Sequence, residues 1–240
     1  AAVTREEAAG VVRDANSKGS SGYVCAAPVH SIMEANDDPA FRTVLNSALM
    51  VVPDGFPVAW ALRSQGFPKQ QRVAGPDLML ELCRVAADSG IKVGFYGSSE
   101  QCLELLAQRL PAQIPSLDIV YQHSPPDKVF SRQEDDDIVE HIRSSGVQLL
   151  FVGLGCPKQE KWMHDHDQRL DAVMVGVGAA FDFHAGLLKR APIWMQRSGL
   201  EWLYRLAREP RRLWRRYLKH NPRFVGLSLL QRWKFRKFSI

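Results

Sequence analysis

The sequence lacks any long apolar run, and this excludes the simplest kind of membrane protein. No stretch approaches the roughly 18 consecutive apolar residues that a membrane-spanning helix needs, although 45% of the 240 residues are hydrophobic. Residues 1–10 are mixed and acidic, without the apolar segment of a signal peptide. These absences predict a cytoplasmic globular protein.

Cysteine is also scarce. The four cysteines form no Cys-x-x-Cys pair and are not accompanied by His-rich spacing, which predicts reduced, mostly buried thiols and neither a disulfide framework nor a zinc site. An Asp-x-Asp occurs within Glu134–Asp137, but it lies in the first turn of a predicted helix, where acidic side chains favour the helix dipole. The sequence therefore predicts no metal site and no cofactor.

Charge is distributed unevenly along the chain. Residues 189–240 hold fifteen Lys and Arg against two Glu, a net charge of +13, whereas the remainder has a net charge of −8. A strongly basic segment of this kind indicates an anionic partner, for which nucleic acid, a phospholipid surface and a diphosphate are the alternatives. No known nucleic-acid-binding module is visible, so we expect no nucleic-acid partner.

The first four-fifths of the chain alternates short apolar runs with helical patterns. This alternation predicts an α/β fold: a Rossmann-like, mostly parallel sheet with helices on both faces. We assign residues 1–188 to this core and residues 189–240 to a C-terminal helical appendage, which Pro210 and Pro222 are expected to divide into short helices. The predicted strands are Tyr23–Cys25, Leu49–Val52, Ile91–Tyr96, Leu117–Tyr121, Val147–Val152 and Ala172–Val177.

The most informative carboxylate is Asp54, which directly follows the second predicted strand and precedes Gly55. Ligands of parallel sheets bind beyond the carboxyl ends of the strands, and a carboxylate there can act as a general base toward a hydroxyl nucleophile. Gly55 would let a ligand approach the backbone closely. On local sequence alone, the competing interpretation is that Pro53-Asp54-Gly55 is a turn in which Asp54 caps the next helix.

A glycine-containing loop follows the fifth predicted strand. Gly153 and Gly155 lead into a helix whose N-terminal amides could bind an anion, with Lys158 adding charge and Gln159 able to hydrogen-bond a sugar. The third glycine of the dinucleotide fingerprint is absent, which argues against an NAD site. The alternative is a loop whose glycines only permit tight packing.

A second glycine-rich strand end contains Gly178, followed by Asp182 and His184. The Asp182 carboxylate could accept a hydrogen bond from a ribose hydroxyl or a uracil N–H. The alternative is that Asp182 caps a helix, and we interpret His184 as a packed structural histidine.

The basic segment interleaves arginines with aromatic side chains such as Trp202 and Trp214. This combination is typical of a helix lying in a membrane surface, where each cation contributes about 1 kcal/mol near an anionic leaflet. Guanidinium groups also suit a diphosphate, for which Arg205, Arg212 and Arg215 are the candidates. The alternative is that the apolar residues pack on the core and the arginines form a solvated face.

Taken together, these segments resemble the WecG/TagA/CpsF family of bacterial glycosyltransferases over about residues 22–224. The matching runs, which occur in the family's order, are Pro53–Gly55, Arg72–Asp77, Phe151–Glu160, Gly176–Gly186, Ala191–Gln196 and Gly199–Trp202. The chain departs from the family pattern after the first strand, where many members have Thr-x-Asn and this chain has Ala26 and Pro28.

The resemblance implies metal-independent, inverting transfer of a hexose or N-acetylhexosamine-type sugar from a UDP-sugar to a polyprenyl-diphosphate-linked acceptor. It also implies a peripheral location on the inner face of the plasma membrane and a role in cell-surface or exopolysaccharide synthesis. Asp54 matches the family's proposed base, Gln159 its sugar-contacting residue and Asp182 its nucleoside-contacting acid. The alternative is a non-catalytic protein that binds UDP-sugars or lipid diphosphates, and the sequence leaves a homo-oligomer open.

Overall fold

The computed structural model describes residues 2–237, with side-chain exposure up to residue 232. Six strands form one sheet in the order β2-β1-β6-β5-β3-β4, and every neighbouring pair is parallel. The predicted Rossmann-like α/β fold is therefore confirmed, and all six predicted strands are present. The strands are β1 Gly22–Ala27, β2 Met50–Pro53, β3 Val93–Gly97, β4 Ile119–His123, β5 Leu149–Gly153 and β6 Val173–Gly176.

Helices cover both faces of the sheet because the central strands are apolar on both sides. In β5, Leu149 and Phe151 contribute to the core on one face, whereas Leu150 and Val152 contribute to the core on the other. The helices are α1 Arg5–Ser17, α2 Val29–Asp37, α3 Pro39–Ser47, α4 Phe56–Ser64, α5 Gly75–Ser89, α6 Glu100–Gln113, α7 Arg132–Ser144, α8 Lys158–His166, α9 Ala180–His184, α10 Ile193–Arg197, α11 Glu201–Arg208 and α12 Pro210–Lys237.

The α1 helix is an element that the sequence analysis did not predict. Thr4 accepts a hydrogen bond from the Glu7 amide while the Glu7 carboxylate accepts one from the Thr4 amide, so the helix begins with a capping box. Its buried alanines and Val12 pack against α5. The Thr-x-x-Glu spacing was the available sequence signal.

The expectation that Pro222 ends a helix is wrong, because α12 continues through it from Pro210 to Lys237. Pro222 removes one amide donor and leaves the carbonyl of Leu218 without its helical partner. Leu218 is 69% exposed, so water can reach that carbonyl. On another face of the same helix, Leu213 and Phe224 are buried on either side of the proline, and this packing keeps the helix continuous.

The C-terminal segment packs mainly on α2 and α4. Phe224 of α12 joins Val29 and Met33 of α2 and Val58 of α4 in a small separate apolar cluster. The division of the chain at residues 188 and 189 stays a prediction, and residues 238–240 of the predicted appendage lie outside the described residues.

Candidate active site

The carboxyl ends of the strands share one rim because the sheet is parallel throughout. At this rim the helices after two neighbouring strands leave in opposite directions: α6, after β3, covers one face and α8, after β5, covers the other. Such a switch point is where open α/β sheets bind ligands. Asp54 follows β2 at one edge of the sheet, on the same rim.

Asp54 is held by the backbone rather than by its side chain. Its amide donates to the Ala27 carbonyl at 3.2 Å, which ties the residue to the end of β1. Gly55 has a φ of +90° and is the residue that caps α4, without any side-chain cap. The predicted alternative, in which Asp54 caps that helix, is therefore wrong, and within the described residues the Asp54 carboxylate has no hydrogen-bond partner.

Asp54 opens into a cleft of about 340 Å³ between the sheet rim and the C-terminal helices. Gly55 and Arg205 line the same cleft, so the structure brings these three predicted residues together. Aromatic and apolar side chains form much of the wall, including Phe56, Phe183, Trp202, Tyr217 and Phe224.

The cleft gives Asp54 the electrostatics of a base. The pKa of Asp54 is raised from 3.8 to about 6, with burial as the largest cause; Arg72 and Arg205 oppose this rise, and the carboxylates of Glu201 and Asp77 add to it. A carboxylate with this pKa is ionised at neutral pH and is a stronger base than an ordinary aspartate. Asp54 belongs to no cluster of three metal-ligating side chains within the described residues.

Two ion pairs join the core to the C-terminal helices beside this carboxylate. Arg72 donates to Glu201 of α11 and also to Gln196 at 3.3 Å. Arg190 binds the Asp77 carboxylate and donates to the same Gln196 at 3.1 Å. These contacts fix the position of α10 and α11 over the cleft, and none of these five residues was assigned a role from the sequence.

The glycine loops lie farther along the rim. Gly97 has a φ of +110°, and a Cβ on it would lie 2.8 Å from the Gly153 carbonyl carbon, so the ends of β3 and β5 approach each other closely where these two loops begin. Asp182 accepts from the Ser98 hydroxyl at 3.4 Å, which places its carboxylate next to these loops. Asp182 lies inside α9 rather than capping it, and His184 packs with a ring nitrogen 2.8 Å from the Pro76 carbonyl oxygen.

Gln159 is buried and held at both ends of its amide. Its Oε1 accepts from the Gly155 amide at 3.2 Å, and its Nε2 donates to Glu160 at 2.9 Å. Gly178 lies alongside, where a Cβ would be 3.6 Å from the Gln159 oxygen. Gly153, Gly155, Gln159, Gly178 and Asp182 thus form a second group on the rim, outside the wall of the Asp54 cleft.

Three predicted residues make their contacts outside both groups. Lys158 is exposed and binds Asp127 at 2.7 Å. Arg212 is exposed and binds Glu209, and Arg215 is exposed and lies over the Trp214 ring. Their contact with a ligand stays a prediction.

Arg216 is a cleft residue that the sequence analysis missed. It lines the cleft, is half-buried, and has no hydrogen-bond partner within the described residues. Burial lowers the pKa of Arg216, and Arg205 and Arg212 also contribute to lowering it. Helical periodicity was the available signal, because Leu213, Arg216, His220 and Phe224 recur on the inward face of α12.

The C-terminal helices also expose an apolar stripe. Trp214, Leu218, Val225 and Leu229 are each between 43% and 69% exposed, and their spacing puts them on one side of α12. Arginines such as Arg211 and Arg215 lie beside them. Within residues 2–237, the helices are too short or too polar to cross a bilayer.

The sequence of this chain is similar to those of known proteins of one family. A sequence model of the glycosyl transferase WecG/TagA/CpsF family matches residues 1–238. A protein of Bacillus spizizenii is 34% identical over 197 residues, covering 82% of this chain and 74% of the relative. A protein of Staphylococcus aureus strain MW2 is 29% identical over 212 residues, covering 88% and 81%. Both are named N-acetylglucosaminyldiphosphoundecaprenol N-acetyl-beta-D-mannosaminyltransferase.

Proposed function

Because the chain belongs to the WecG/TagA/CpsF family of glycosyltransferases, we propose that it moves a sugar from a UDP-sugar to a polyprenyl-diphosphate-linked acceptor. Both relatives described above are named as transferases of N-acetylmannosamine to an N-acetylglucosaminyl-diphosphoundecaprenol. We propose the same acceptor class here, with a hexose or N-acetylhexosamine as the transferred sugar. The pathway served is polysaccharide biosynthesis.

The observation that carries this proposal is Asp54 in its cleft. The carboxylate takes the proton of the acceptor hydroxyl as that oxygen attacks the anomeric carbon. The bond between the anomeric carbon and the UDP oxygen breaks in the same displacement, so the configuration inverts and UDP leaves with the electron pair. A carboxylate with a pKa of about 6 and no hydrogen-bond partner within the described residues is free to accept that proton.

Cations in the cleft would stabilise the charge that develops on the departing diphosphate. Arg205 and Arg216 both line the cleft, and neither is fully engaged: the Arg205 Nε lacks a partner within the described residues, as does the whole Arg216 guanidinium. Preorganised donors of this kind act on the transition state without reorganising. In the neighbouring group, we assign the donor sugar to Gln159 and the nucleoside to Asp182, beside the Gly178 loop.

We further propose that the apolar stripe of α12 rests on an anionic membrane surface, on the cytoplasmic leaflet where the lipid-linked acceptor would be met. The stripe supplies apolar area and the flanking arginines supply charge. Replacing Trp214 and Leu218 by Ser should reduce flotation with anionic liposomes. Replacing Val129, which is 95% exposed outside this segment, by Ser is the matched control. Equal flotation of all three proteins would remove the membrane contact.

The transferase proposal is tested with a panel of UDP-sugars and a synthetic N-acetylglucosaminyl-diphosphate lipid. We expect acceptor-dependent UDP release with one or two donors, and a product whose anomeric proton coupling shows inversion. UDP-sugar binding without transfer to any lipid-diphosphate acceptor would favour the non-catalytic binding protein instead. Retained configuration in the product would contradict direct displacement.

A further inference from the structure

A cluster of two histidines and one glutamate joins α2 to α12 beside the cleft. His30 and Glu34 lie one helical turn apart on α2, and His220 reaches them from α12. The Glu34 Oε1 lies 3.8 Å from the His30 Nδ1 and 3.4 Å from the His220 Nε2. One potential ligand atom from each residue lies within 4.8 Å of the other two.

Hydrogen bonds among the described residues do not account for the positions of the two histidine rings. The His30 Nδ1 is buried without a partner, although the ring has a hydrogen-bonding contact with the Cys156 backbone. Because Nδ1 has no partner, we assign that contact to Nε2, which leaves Nδ1 available to an ion beside the Glu34 carboxylate. A metal-ligating histidine uses its two nitrogens in this way, with one N–H on a backbone carbonyl and the other nitrogen free for the ion.

His220 is the second unexplained group. Its side chain is 4% exposed, its ring makes no hydrogen bond within the described residues, and it stands edge-on to the His30 ring with centroids 5.0 Å apart. The Glu34 carboxylate faces both rings, since its Oε1 lies within 3.8 Å of one nitrogen of each.

The surrounding charges leave room for a cation. Arg223 is engaged by both oxygens of Asp37, at 2.6 and 2.8 Å. The Lys219 Nζ lies 4.0 Å from Glu34, but its side chain is 60% exposed and can turn into solvent. Arg216 lines the same cleft as His30, and among the described residues neither Arg216 nor His30 forms an ion pair with the other residue's partners.

We propose that His30, Glu34 and His220 form a binding site for a divalent transition-metal ion such as Zn²⁺. Two imidazoles and one carboxylate are a ligand set that zinc prefers, with water completing a tetrahedron at metal–ligand distances of about 2.0–2.2 Å. Mg²⁺ and Ca²⁺ prefer oxygen ligands and should bind poorly. Such an ion ties α12 to α2 and thereby holds the C-terminal helices over the cleft. The site stands independently of the proposed transfer reaction, since no step of that reaction passes through the ion.

The test uses the full chain without an affinity tag, stripped with a chelator and dialysed. We expect Zn²⁺ to bind at about one ion per chain by equilibrium dialysis and to raise the Tm by at least about 3 °C, while Mg²⁺ does neither. Co²⁺ should give the visible absorption of a four-coordinate nitrogen and oxygen site. Glu34→Gln and His220→Gln should each lose the Tm increase and weaken binding at least tenfold.

His141→Gln is the matched control, because His141 is exposed on α7 and its loss removes one histidine without touching the cluster. It should bind Zn²⁺ as the unchanged protein does. If His220→Gln fails to fold, Glu34→Gln alone decides the comparison, since it preserves the shape of the side chain. Absence of a bound ion in the unchanged protein, or equal Zn²⁺ binding by Glu34→Gln and the unchanged protein, would overturn the site.

Discussion

Two of the charged neighbours of Asp54 shift its pKa in opposite directions, so the sign of each effect can be tested separately. Arg72 lowers that pKa and Glu201 raises it, while the two side chains also bind each other. Arg72→Gln removes the cation and leaves the Glu201 carboxylate unneutralised, so the pKa should rise above about 6. Glu201→Gln removes the anion and leaves Arg72 free to stabilise the Asp54 carboxylate, so the pKa should fall.

The size of each effect follows from the burial of the site. One unit charge within about 4–6 Å changes a carboxyl pKa by about 1 to 3. Because Arg72 and Glu201 are each 18% exposed at the side chain, solvent screens them only in part, and we expect a change of at least about 1 in each direction. The acidic limb of the rate profile should therefore differ by about 2 pH units between the two variants.

The assay is the pH dependence of kcat/KM from about pH 4 to about pH 9, since that ratio reports the ionisation of the free enzyme. For the unchanged protein, activity should fall about tenfold per pH unit below about 6, because Asp54 must be ionised to accept a proton. Absolute rates of the variants are not the readout, since both residues line the cleft. Arg13→Gln, an exposed charge change on α1, should leave the midpoint in place.

Midpoints that coincide in all four proteins would show that Asp54 does not control the profile. A midpoint that falls in Arg72→Gln would contradict the electrostatic reasoning directly.

Three further predictions follow from the same geometry. The free energy of unfolding of Asp54→Asn at pH 8 should equal or exceed that of the unchanged protein. The pKa of the Asp54 carboxyl rises from 3.8 to about 6 on folding, so this group stabilises the fold below pH 3.8. That contribution is lost as the pH rises through 6. At about 1.4 kcal/mol per pKa unit the limit is about 3 kcal/mol, reduced by water in the cleft; urea unfolding measures it, and a clear loss of stability would refute it. Gly97→Ala should lower the Tm, because the new Cβ would lie 2.8 Å from Gly153 and the φ of +110° disfavours alanine; an unchanged melting curve would contradict the contact. Arg216→Gln should weaken UDP binding by calorimetry at least tenfold, whereas Arg211→Gln, on the exposed side of α12, should change it little; an equal loss in both variants would contradict the assignment of the anion site to Arg216.

The sheet and the position of Asp54 were predictable because local signals agreed with one another. Short apolar runs alternated with helical patterns, and Pro53-Asp54-Gly55 ended one of them. A parallel sheet then forces every strand end onto one rim, so a residue after β2 and a loop after β5 must share it. The same rule placed Gln159 and Asp182 on that rim.

The C-terminal helices were less predictable because they contain many arginines, and only the helical periodicity distinguishes their buried side from their exposed side. The candidates Arg212 and Arg215 lie on the exposed side, whereas Arg216 shares its side with buried Leu213 and Phe224. Pairs such as Arg72 with Glu201 join residues 129 positions apart, and no local pattern predicts them. The predicted helix break at Pro222 is absent because a helix that is packed on both sides of a proline tolerates the loss of one hydrogen bond.

The most direct measurement is single-turnover transfer by Asp54→Asn with donor and lipid acceptor both saturating, with UDP affinity measured on the same sample. The account predicts a rate at least about 100-fold below that of the unchanged protein, in line with the loss of a general base, and a UDP affinity within about threefold. A rate near that of the unchanged protein would contradict the role of this carboxylate and with it the assignment of the cleft.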